Sequence, residues 1–155
     1  MTATVKHFIN GEETTANTTD TQPIMNPATG EEIGTLALGN AKTIDQAVQI
    51  AVKAQKEWAK VSLAKRTKLM YTMRDLINEH TDEIAEIISY EHGKTVDDAK
   101  GEIARGLETL EFATNITQAT KGDFSNNVST GVDIHTIRQP LGVVAGITPF
   151  NFPAM

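Results

Sequence analysis

The chain has 155 residues, 39% hydrophobic and 22% charged, with a formal net charge of −6: one ordinary domain with the balance of a globular protein. Its 14 basic residues are scattered among 20 acidic ones, so no basic stripe is available for nucleic acid or an anionic membrane surface. The absence of cysteine excludes disulfides, thiolate metal sites and a thiol nucleophile on this chain.

The first forty residues read as strand and turn. In VKHFINGEE, Asn10-Gly11 follows an apolar stretch, and this pair favours a type I′ hairpin because both positions need φ > 0. NPATGEEIGTLAL holds two turn signals, Asn26-Pro27 and Thr29-Gly30, before a candidate strand Ile33–Leu38.

Helical spacing then takes over. Thr43 with Gln46 makes a capping box ahead of a face carrying Ile44, Ala47, Val48, Ala51, Val52 and Trp58. Ser62 can cap a second helix, with Leu69, Met70, Met73, Leu76 and Ile77 on its apolar side. Thr81 can cap a third, burying Ile84, Ala85 and Ile88 and ending where Gly93 suits a left-handed C′ position. Thr95 with Asp98 opens a long fourth helix carrying Val96, Ala99, Ile103, Leu107, Leu110 and Ala113, stopped near Gly122.

From Asp123 the pattern returns to β. Val132, Ile134 and Ile137 alternate with polar neighbours as in a half-exposed ribbon, and LGVVAGI, Leu141 to Ile147, reads as a parallel strand covered on both faces. A parallel strand needs a neighbour reached through a crossover of roughly a dozen or more residues. None follows, so the chain is expected to be a piece of a longer protein. The amino terminus has no secretory-type apolar run and Leu141–Ile147 is too short for a bilayer; the expected location is the cytoplasm, or an organelle matrix after loss of a transit peptide.

Two residues stand out chemically. Asn151 follows the predicted strand, between Phe150 and Phe152 and near Pro149 and Pro153, where open α/β sheets bind ligands. A side-chain amide there can donate to a developing oxyanion; on spacing alone, a turn asparagine satisfied by backbone is the simpler reading. Arg105 lies beside Gly106 and one turn after Gly101, so missing side chains leave its guanidinium approachable by a carboxylate. The simpler alternative is a surface arginine paired with Glu102 or Glu108 at helical spacing. The histidines His7, His80, His92 and His135 lack metal-ligand spacing, so no metal is expected. His92 and Lys94 read as complements to a helix dipole.

The ending PLGVVAGITPFNFPAM resembles the aldehyde dehydrogenase superfamily, in which a strand leads to a Pro-aromatic-Asn-Phe-Pro segment. HFINGEE, the stretch NPATGEEIGTLALGNAKTIDQAVQIAVKAQKEWAK, SYEHGK and VDIHTIRQPLGVV are similar to other parts of that family. PFNFPAM with EIARGLE is similar to its CoA-acylating, methylmalonate-semialdehyde branch. The resemblance implies an α/β fold: residues 1–122 as the β/turn segment and helices of the NAD-binding domain, 123–140 as an oligomerisation ribbon, and 141–155 as the first strand of a Rossmann-like sheet with its loop. It implies thiolate attack on a semialdehyde, hydride transfer to NAD, and acyl transfer to CoA with loss of the carboxylate. It further implies that Asn151 is the oxyanion donor, that Arg105 holds the substrate carboxylate, and that Thr148 and Phe150 are backbone positions touching NAD. The parent is implied to be a homo-oligomer, dimer or tetramer, and the chain alone inactive for want of the cysteine. A non-acylating semialdehyde dehydrogenase, such as one for succinate semialdehyde, and a noncatalytic oligomerisation module are the alternatives.

Overall fold

The computed structural model describes residues 3–16 and 18–155; residues 1, 2 and 17 of the expected 1–122 segment lie outside the described residues. The elements run β1 (Ala3–Val5), β2 (His7–Ile9), β3 (Glu12–Thr14), β4 (Thr21–Met25), β5 (Glu32–Ala37), α1 (Ala41–Trp58), α2 (Leu63–Glu79), α3 (Thr81–His92), α4 (Val96–Ala113), α5 (Ile116–Ala119), β6 (Phe124–Ser129) and β7 (Val132–His135).

β2 and β3 form the expected hairpin, with Asn10 at φ 58° and Gly11 at φ 83°. β5 is the centre of a three-stranded sheet, parallel to β1 and antiparallel to β4. The β4–β5 turn is tied by Asn26, whose Oδ1 accepts from the N–H groups of Ala28 (2.8 Å) and Thr29 (3.3 Å). That turn packs on the end of α3. Gly93 caps the helix at φ 84°, and a Cβ there would come within 2.8 Å of Pro27 Cγ. Glycine is required twice over, by conformation and by space.

Ser62 caps α2 by accepting from the Lys65 N–H, and Thr95 caps α4 by accepting from the Asp98 N–H. Two expected caps are different. α1 starts earlier than Thr43: Asn40 is the N-cap, its Oδ1 accepting from the Thr43 N–H while Thr43 Oγ1 accepts from the Asn40 N–H. Thr43 is thus the N3 half of the box. Thr81 does not cap α3, because it is already the first residue of that helix and its hydroxyl reaches back to donate to the Ile77 carbonyl (2.9 Å). His80 occupies the N-cap position, its Nδ1 3.0 Å from Glu83 Oε2. The long fourth helix is also interrupted: it ends at Ala113, where the Thr114 hydroxyl donates to the Glu111 carbonyl, and α5 follows as a separate short turn.

The buried cluster is small and lies between α3 and α4: Ala85, Ile88, Ala99 and Ile103, with Ile77, Ile84 and Leu107 against it. The apolar faces of α1 and α2 are largely uncovered among the described residues, with Ile44, Val48, Trp58, Leu69, Met73 and Leu76 all exposed. β6 and β7 form an antiparallel ribbon exposed along its whole length. At its root the two arms pass so closely that a Cβ on Gly122 would overlap the Thr136 carbonyl oxygen.

The predicted strand over 141–147 is not formed. A strand is held by its ladder partners, and no described segment pairs with these residues. Leu141 is 95% and Ile147 99% exposed, so the covering of both faces that the apolar run requires is also missing.

Candidate functional site

α4 is built to carry a buried charge. Its Thr95 cap and the first-turn acids Asp97 and Asp98 stabilise the amino-terminal end. The stripe holding Ala99, Glu102 and Ile103 then faces inward, and Glu102 is the largest side chain in the chain's described part that is fully buried. An isolated buried carboxylate would be costly, so it must be paired and hydrogen-bonded. Lys94 Nζ donates to Glu102 Oε2 at 2.6 Å, with the two side chains 12% and 0% exposed. Glu102 Oε1 accepts from the backbone N–H groups of Ala154 (2.6 Å) and Met155 (3.1 Å). Burial pushes the Glu102 carboxyl up, but the Lys94 ammonium and the two backbone donors outweigh it and hold it below the usual glutamate value.

The carboxy-terminal loop is therefore strapped to α4. Lys94 Nζ also donates to the backbone carbonyl of Asn151 (3.0 Å) and lies 5.0 Å from the centre of the Phe152 ring. The Phe152 N–H donates to the Pro149 carbonyl at 3.2 Å, closing a turn around Phe150 and Asn151. Gly106 eases the strapping: a Cβ there would come 3.3 Å from the Met155 Cα, a tight contact. The expectation that Gly106 opens space for a ligand is thus corrected; it admits the chain's own backbone. Gly101 has nothing within 4 Å of its would-be Cβ and does open space.

A cavity of about 420 Å³ lies between α4 and this loop, bordered by His92, Lys94, Asp97, Asp98, Gly101, Glu102, Arg105, Asn151 and Phe152. It brings together the two residues singled out in the sequence. Arg105 is exposed and makes no ion pair among the described residues; Glu102, one of its candidate surface partners, is taken by Lys94. Asn151 is exposed, and its side-chain amide makes no hydrogen bond among the described residues, so it is not a turn asparagine satisfied by backbone. A cationic fork and an amide thus face one solvent-open space, an arrangement that can hold an anion at one end and polarise a carbonyl at the other.

Thr148 and Phe150 are both exposed. Phe150 borders a separate cleft of about 290 Å³ with Ile87, Glu91, His92 and Pro153. Neither borders the cavity of Arg105 and Asn151. The reading of Lys94 as a helix-dipole complement missed its role as the ion-pair partner of Glu102. The available signal was Glu102 itself, a carboxylate at i+3 from Ala99 and next to Ile103 on the stripe that the apolar spacing sends inward. No group of three acidic or histidine side chains among the described residues could hold a metal, and no helix among them is long and apolar enough to cross a membrane.

Residues 14–155 match the profile of the aldehyde dehydrogenase family. The chain is 41% identical over 154 residues to malonate-semialdehyde dehydrogenase 1 of Geobacillus kaustophilus, covering 99% of this chain and 32% of that relative. The structure superposes with a TM-score of 0.95 and 43% identity on a Sinorhizobium meliloti 1021 protein assigned to methylmalonate-semialdehyde dehydrogenase and complexed with NAD, over 100% of this chain and 32% of the other. Against methylmalonate-semialdehyde dehydrogenase of Oceanimonas doudoroffii the TM-score is 0.93 and the identity 44%, over 99% and 31%. The chain spans about a third of the length of the relatives it matches.

Proposed function

The chain belongs to the aldehyde dehydrogenase family, and from that premise we propose that it serves as the amino-terminal part of an NAD-dependent, CoA-acylating dehydrogenase of malonate or methylmalonate semialdehyde. The observation that carries this reading is the shared cavity: an arginine and an asparagine amide that have no ion-pair or hydrogen-bond partner among the described residues border the same space. A semialdehyde has a carboxylate and an aldehyde a few bonds apart. Arg105 is suited to fork onto the carboxylate, and the Asn151 amide to stabilise the oxyanion that develops from the aldehyde oxygen. Lys94 is committed to Glu102 and to the loop, which leaves Arg105 as the cation free to recognise substrate on this wall.

The nucleophile is supplied by a residue outside these 155, since no cysteine is present. When bound, NAD accepts the hydride and CoA the acyl group. Residues Thr148 and Phe150 fit a backbone contact to a dinucleotide: both are exposed, neither backbone group enters a hydrogen bond among the described residues, and Pro149 between them stiffens the turn. In the assembled enzyme, expected to be a cytoplasmic homo-oligomer, the exposed ribbon β6–β7 is the natural contact between copies.

The test uses a full-length enzyme carrying this segment, assayed with malonate semialdehyde and with propanal, which has no carboxylate. Arg105→Leu is expected to raise KM for the semialdehyde about ten- to a hundredfold and to leave propanal within about threefold, as the loss of charged hydrogen bonds predicts. Equal effects on both substrates would remove Arg105 from the site. Acyl-CoA as product supports the acylating reading; free acid released irrespective of CoA would favour the non-acylating one.

A further inference from the structure

We infer that Lys94 and Glu102 are positioning residues: together they fasten the 151–155 segment to α4 and thereby aim the Asn151 amide into the cavity it shares with Arg105. The inference rests on the oxyanion role proposed above for Asn151.

Three of the five backbone N–H groups in residues 149–155 are anchored. In residues 149–155 the two prolines, Pro149 and Pro153, carry no N–H. The Phe152 N–H is used within the turn, and those of Ala154 and Met155 end on Glu102 Oε1. On the acceptor side, the carbonyl of Asn151 itself is held by Lys94 at 3.0 Å, so the peptide bearing the side chain is fixed next to its root. Phe152 against the Lys94 ammonium resists rotation of the same segment. The Asn151 side-chain amide stays untied among the described residues. The clamp consumes neither of the groups it would present to substrate, and both of its own charges are satisfied within it.

Oxyanion stabilisation depends steeply on donor placement, and a displacement of about 1 Å can cost on the order of a hundredfold in rate. Releasing the clamp should therefore lower kcat without touching the carboxylate site at Arg105. Removing one charge alone would leave the other buried and threaten the fold. The useful variant is the paired Lys94→Met/Glu102→Leu, because buried ion pairs are often replaced by apolar residues of similar volume at little cost.

Turnover of malonate semialdehyde at saturating NAD is measured in the full-length enzyme for the paired variant, in the wild-type and in the Asn151→Ala backgrounds, with folding checked by urea melts. The expected result is a fall in kcat of about tenfold or more in the wild-type background, under about threefold when Asn151 is already alanine, and an unchanged KM for NAD. A merely structural role would lower activity equally in both backgrounds, and that outcome, or no loss in either, overturns the inference. Hydrogen exchange of the Ala154 and Met155 amides is followed in parallel in the full-length enzyme and should quicken about tenfold or more in the paired variant. If Asn151→Ala alone leaves kcat within about threefold, the oxyanion role fails; if the amides exchange at the wild-type rate, the anchoring itself fails.

Discussion

Glu102→Gln tests the central claim about energetics, that one carboxylate holds the carboxy-terminal loop on α4. Glutamine preserves the shape and an oxygen for the Ala154 and Met155 N–H groups, but it removes the charge opposite Lys94. The Lys94 and Glu102 side chains are 12% and 0% exposed, so the pair is poorly screened by solvent. Breaking a buried pair from one side costs about 3–5 kcal/mol, most of it the stranded partner charge. Here Lys94 keeps the Asn151 carbonyl and the Phe152 ring, which places the loss near the lower end, about 3 kcal/mol. For a chain of this size that corresponds to a fall in Tm of about 6–12 °C. Urea and thermal unfolding followed by far-UV circular dichroism at pH 7 measure both quantities. The internal control is Glu13→Gln, which breaks the exposed pair with Lys6, its side chains 42% and 71% exposed; that loss should be under about 1 kcal/mol. If Glu102→Gln costs no more than Glu13→Gln, the Lys94–Glu102 contact is a surface pair in energetic terms and the reasoning from burial is wrong.

The same carboxylate predicts a pH window. Its folded-state pKa is depressed below the ordinary value of 4.5, so its contribution is complete above that value and is lost as pH falls beneath it, through the depressed one. The stability gap between wild type and Glu102→Gln should stay constant from about pH 7 to 5 and close only below about pH 4; a gap that closes between pH 7 and 5 contradicts the assignment. A second prediction concerns the start of α1. Asn40→Ala should cost about 1 kcal/mol in urea melts, whereas Gln46→Ala should stay within about half of that; the reverse order would return the cap to Thr43 and Gln46.

What the sequence determined by itself is whatever short-range backbone chemistry decides. The Asn10-Gly11 hairpin, the Ser62 and Thr95 caps and the left-handed Gly93 were legible because each depends on the conformational freedom or hydrogen-bonding reach of a few adjacent residues. Asn151 and Arg105 were visible too, as polar residues in apolar or glycine-lined surroundings. Family resemblance located them on a known architecture, but spacing alone left each with an ordinary alternative. Tertiary structure bears on these alternatives through Glu102. Once that carboxylate is taken by Lys94 and by N–H groups more than fifty positions down the chain, Arg105 loses a helical-spacing partner, and Asn151 is held by its carbonyl rather than its amide. The strand expected at Leu141–Ile147 failed for the same physical reason in the opposite direction. Apolar character can mark a segment for burial in a parallel sheet, but ladder hydrogen bonds and covering layers come only from other segments, and among the described residues none lies beside it.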